Sequence, residues 1–63
     1  MTSTDLSAML DRADRVGDMV MEYEGVSETG VDPRDYVFDA LMANPDRSDQ
    51  DVASAVAMQI AYA

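Results

Sequence analysis

Apolar residues recur at helical spacing through most of this chain and divide it into three amphipathic segments. In the first, Leu6, Met9, Leu10, Ala13, Val16, Gly17 and Val20 share one face at about 100° per residue. Asp11, Asp14, Asp18 and Glu22 lie opposite, within an arc of about 80°. This pattern predicts a helix over about residues 5–24. Ser3 or Thr4 stands where an N-cap is needed, and Asp5 suits the positive end of the helix dipole. Gly25 is expected to end the helix in a left-handed conformation, followed by a loop over residues 25–31 rich in glycine, serine and threonine.

The second helix is expected over residues 33–43, with Asp32 as N-cap and Pro33 in the first helical position. It stops ahead of Asn44-Pro45, because the residue before proline avoids the helical region. Its apolar arc is wide (Tyr36, Val37, Phe38, Ala40, Leu41, Met42), and only Asp35 and Asp39 form a polar edge. A third helix is expected over residues 49–62, capped by Ser48, with Asp51 at capping-box spacing. Val52, Val56 and Ile60 form one stripe with Ala53 and Ala57 beside it. Met58 and Tyr62 form a second stripe roughly opposite. The expected fold is an all-α, three-helix domain spanning residues 1–63. A helix apolar on two sides, in a chain too short to cover both, predicts an oligomer.

Composition reinforces that expectation. Sixty-three residues lie near the lower limit for independent folding, and no cysteine is present to staple them. The chain carries 13 acidic residues against four arginines, with no lysine, for a net charge of −9. Acidity of that order favours disorder, but 48% of the residues are apolar and they are patterned, which favours folding. The field repels nucleic acid and anionic membranes, so neither is expected to bind directly, and it attracts basic protein surfaces. Residues 1–5 lack the basic start of a signal peptide. The longest apolar stretch, residues 52–63, is too short to span a bilayer and is interrupted by Ser54 and Gln59. A cytoplasmic location is therefore expected. A salt-adapted or GC-rich genome accounts for much of the bulk charge, but less well for its clustering.

Candidate chemistry is sparse. Without histidine, cysteine or lysine, general bases and nucleophiles reduce to carboxylates and hydroxyls, and a domain this small seldom encloses a cleft that retunes them. No enzyme activity and no cofactor are expected. Asn44, Asp46, Ser48 and Gln50 alternate like calcium-loop ligands. However, Asp49 stands where the loop needs glycine, and Ala55 where it needs a bidentate glutamate. No metal is expected there. Asp46-Arg47-Ser48 is only a faint echo of a carrier-protein attachment site.

Two surfaces remain. Residues four apart on a helix stand about 6 Å apart, similar to successive phosphates along a nucleic-acid strand. Asp11, Asp14, Asp18 and Glu22 therefore form a candidate acidic binding face, with Arg15 inside the row able to pair with Asp11 or Asp18. Phe38, Met42, Met58 and Tyr62, with Met19 on the polar side of the first helix, form surplus apolar surface of the kind enriched in interfaces. The functional expectation is a non-enzymatic inhibitor or regulator docking its acidic face on a basic, nucleic-acid-binding surface of a protein partner. By size and charge alone, it is analogous to phage anti-restriction, anti-CRISPR and other DNA-mimic proteins. The alternative is an oligomerisation module or small accessory subunit docking through the C-terminal helix. A homodimer joined there, displaying two acidic faces, combines both.

Overall fold

A computed structural model describes the backbone of residues 3–62 and the side chains of residues 6–62. The described residues contain four helices and no strand: α1 (Ser3–Met21), α2 (Glu24–Ser27), α3 (Arg34–Ala43) and α4 (Asp49–Ala61). The all-helical class follows the sequence pattern, but the number of helices does not. Ser3 and Thr4 fall inside α1 rather than before it. The capping and dipole roles expected of Ser3, Thr4 and Asp5 concern side chains outside the described residues.

The extra helix has a packing cause. α1 stops at Met21, and two tight bonds, Glu22 N–H to the Met19 carbonyl and Tyr23 N–H to the Val20 carbonyl, turn the chain. Tyr23 is extended, with φ −75° and ψ 126°, and α2 then runs back over the bundle. This path carries Val26 to complete burial. Fully burying a valine is worth roughly 1.5 kcal/mol or more, which a straight helix running on to residue 24 would forgo. Gly25 is therefore not a left-handed cap. Among the described residues, Gly30 alone has a positive φ, at 74°. The turn there is held by the Thr29 hydroxyl, which donates to the Val26 carbonyl at 2.7 Å and accepts from the Val31 N–H at 3.2 Å.

The other boundaries follow local chemistry. The Asp32 carboxylate accepts the Arg34 N–H at 3.0 Å. Pro33 is already helical, at φ −75° and ψ −12°, and its carbonyl accepts the Val37 N–H at 2.9 Å. α3 ends at Ala43, ahead of Asn44-Pro45. Ser48 caps α4, its Oγ accepting the Asp51 N–H at 3.1 Å.

α1 packs on α3 and α4, α3 packs on α4, and α2 rests on α4 and α1. One core results, built from Ala13, Val16 and Val20 of α1, Val26 of α2, Val37 and Leu41 of α3, and Val52, Ala53, Val56, Ala57 and Ile60 of α4. The expected inner stripe of the last helix is buried in full. The expected face of the first is buried only in part, since Leu6 and Leu10 are 44% and 50% exposed. Helix length explains this. At 1.5 Å per residue α1 is about 28 Å long, against about 15 Å for α3 and about 20 Å for α4. Its first turns have less to pack against. Met19 departs in the opposite sense: it is half-buried against the core rather than surplus on the polar side.

Candidate interaction surfaces

Asp11, Asp14, Asp18 and Glu22 are all exposed on α1, as their spacing requires. Their neutralising partner is not the expected one. Among the described residues, Arg15 pairs with neither Asp11 nor Asp18. The cation that reaches the row is Arg34, from the start of α3, with Nη1 3.6 Å from Asp14 Oδ1. Arg34 is held more tightly by Asp32 in a forked pair, Nε to Oδ1 at 3.1 Å and Nη2 to Oδ2 at 2.9 Å. The Arg34 side-chain bond, then its backbone N–H, hold the Asp32 carboxyl below the ordinary carboxylate range. Asp32 reciprocally raises the Arg34 guanidinium above its usual value.

Gly17 allows this approach. A Cβ at Gly17 would lie 2.9 Å from Arg34 Cγ, so any other residue there would push the start of α3 or its arginine away. Two members of the acidic row consequently line one wall of an open groove of about 560 Å³. Asp14 and Asp18 stand on one side, Asp32 and Arg34 on the other, with Met21, Val31 and Pro33 adding apolar surface. The sequence pattern gave the row but not the groove, because Arg34 and Gly17 meet only through the packing of α3 on α1.

Arg12 is the residue the sequence reading missed. Its Nε donates to Asp49 Oδ1 at 2.6 Å and its Nη1 to the Pro45 carbonyl at 2.9 Å, while Nη2 donates to the Arg47 carbonyl. One guanidinium thus ties α1 to the α3–α4 connection and to the first turn of α4. Arginine suits this role because its planar fork carries several fixed donors. The signal in the sequence was slight, since Arg12 is one of two arginines on a largely acidic helix. Asp49, in the first turn of α4, is the anionic end of this tie.

The apolar candidates do not form one surface. Phe38 is half-buried against the core and shares a shallow groove with Leu10 and Ala13 between α1 and α3. Met58 and Tyr62 share a different groove with Tyr23, between α2 and α4. Met42 lines neither and is 51% exposed. Met58 and Tyr62, at 60% and 82%, are the most exposed large hydrophobic residues described.

Among the described residues, no three carboxylates converge on a position that could hold a metal ion, and no helix is long and apolar enough to cross a membrane. The Asp32 carboxyl is shifted downward, whereas a general acid at neutral pH needs an upward shift. No protein-family model matches the chain, and neither a curated protein nor a solved structure matches it.

Proposed function

We propose that this protein acts without catalysis, by binding another protein, and that its acidic α1 face docks on a basic surface of that partner. A nucleic-acid-binding surface of an enzyme or regulator is the natural complement. The protein would then work as an inhibitor or regulator of the DNA-mimic type, in the manner of anti-restriction and anti-CRISPR factors. The observation that carries this reading is the exposed row Asp11, Asp14, Asp18 and Glu22, in which, among the described residues, the only cation within 4 Å is Arg34, at 3.6 Å from Asp14 and mainly engaged by Asp32. Such a row steers encounter with a cationic surface and sets specificity more than it adds affinity.

The test is capture of the partner from the native host, followed by titration of the purified pair. Affinity should fall as salt rises, and duplex DNA should compete for the partner. Replacing Asp11, Asp14 and Asp18 together with asparagine should weaken binding at least about tenfold. Affinity indifferent to both salt and the triple substitution would reject the acidic face as the docking surface.

A second reading is favoured by the exposure of Met58 on α4 and of Tyr62 at its C-cap. On this reading the last helix joins the protein to a second copy, or to a larger assembly as an accessory subunit. Sedimentation across micromolar concentrations separates it from the first, since self-association through α4 should survive neutralisation of the α1 row.

A further inference from the structure

The groove between α2 and α4 has the makings of a helix-docking site. Its floor is small: Gly25 of α2 faces Ala57 and Ala61 of α4, and a Cβ at Gly25 would lie only 3.3 Å from the Ala61 Cβ. Its walls are large and exposed. Met58 in the last turn of α4 and Tyr62, its C-cap, stand four residues apart, and Tyr23 closes the other side. A small floor between a thioether and two phenol rings lets a helix approach closely while long side chains close around it. Methionine and tyrosine suit that task, one by adapting its shape and the other by keeping a wet hydroxyl tip. The groove holds about 290 Å³, just under the roughly 300–1,000 Å³ of small-molecule sites. It accommodates a few side-chain anchors rather than a cofactor.

Charge selects the occupant. Glu24 lines the groove, Glu22 and Glu28 flank it along the chain, and none of the four arginines lines it. Arg12 is committed to the α3–α4 connection and Arg34 to Asp32. A second copy of this chain would bring a charge of −9 against −9, and like charges across an interface oppose association. A helix with apolar anchors one turn apart and lysine or arginine at its margins complements both the apolar floor and the acidic surroundings. We propose that the α2–α4 groove is the docking site for a basic amphipathic helix of a partner protein. This goes beyond the acidic-face reading and does not depend on it, because Asp11, Asp14 and Asp18 do not line this groove.

The probe is a labelled model peptide of about 14 residues, four helical turns, with leucine on one face and lysine on the other. It is titrated with the intact protein at about 0.15 M salt. It should bind with micromolar affinity, and a leucine–glutamate counterpart should not. Replacing Met58 and Tyr62 together with glutamate removes two walls and adds two negative charges. Groove docking then predicts a loss of about tenfold or more, whereas attraction by charge alone predicts unchanged or tighter binding. Ala61→Phe fills the floor without changing charge and should weaken binding comparably. Both variants alter exposed positions, and circular dichroism checks that they fold. Neutralising Asp11, Asp14 and Asp18 should change affinity by less than about threefold, beyond the general loss of charge. The proposal is overturned if the lysine peptide fails to bind, or if the Met58/Tyr62 variant binds as well as the original. It is equally overturned if the protein is a dimer that this variant dissociates, since the occupant would then be a second copy.

Discussion

Two arginines decide most of the polar geometry, one through a partner distant in sequence and the other chiefly through a near neighbour. Arg12 spans 37 positions to reach Asp49 and binds two loop carbonyls besides. Arg12→Ala should destabilise the protein by about 1–2 kcal/mol, read as a lower urea midpoint at unchanged slope. Arg12→Lys should recover little of it, because an ammonium cannot serve three diverging acceptors. Arg34 acts closer to home. Its bonds depress the Asp32 pKa, so the folded state holds that carboxylate more readily than the unfolded chain does. The stabilisation is thus complete above the ordinary value of 3.8 and is lost as pH falls through the lower folded value. Asp32→Asn keeps a capping oxygen but removes the charge. Its melting temperature should lie below that of the unaltered protein at neutral pH, and the gap should close in strong acid. A gap that persists there would mean that the pair contributes through something other than its charge. None of this was legible from residue types alone. Sequence spacing offered Arg15 as the partner of the acidic row, and tertiary packing supplied Arg34 instead.

At the scale of elements, the local signals were strong where they rested on caps and on proline. Asp32-Pro33, Asn44-Pro45 and Ser48 each mark a boundary that the backbone respects. Ser48→Ala should cost about 1 kcal/mol, since the Asp51 N–H loses its acceptor in the first turn of α4, and thermal melts monitored by circular dichroism would register it. The signals were weak between α1 and α3. Glycine at position 25 resembled a helix stop, but the chain turned three residues earlier and formed α2 so that Val26 could enter the core. A single valine in a polar stretch carries no periodicity, so its burial could not be read from pattern. The same limit explains Leu6 and Leu10. They lie on the correct face of α1, yet no neighbouring helix is long enough to cover them fully.

For the whole molecule, charge and core oppose each other. The accessible surface is 4213 Å², close to the roughly 4,000 Å² expected of a compact chain of this mass. Total area by itself therefore does not require a second copy, and the incentive to bind lies in where the apolar surface sits. A net charge of −9 works against compactness by self-repulsion. Raising ionic strength from about 0.01 to 0.15 M shortens the screening length from about 30 to about 8 Å and should raise the melting temperature. A flat response would show that the acids are too well dispersed to strain the fold. The core has little to spare: Leu41 is fully buried where α3 meets the bundle, and Leu41→Ala should cost about 2–5 kcal/mol. In so small a domain that loss should populate unfolded chains at 37 °C, visible as collapsed dispersion of the amide spectrum.

The sequence by itself determined the helical class, the inner stripe of α4, the boundaries set by Asp32-Pro33, Asn44-Pro45 and Ser48, and the exposed row on α1. All of these follow from periodicity, caps and charge within one segment. Only the tertiary structure decided that α2 exists, that Arg12 ties α1 to the α3–α4 connection, and that Gly17 lets Arg34 stand beside the acidic row. It alone placed Phe38 in one groove and Met58 and Tyr62 in another. Each of these depends on the relative lengths of the helices and on the faces they turn toward one another, and a one-dimensional pattern does not carry that information.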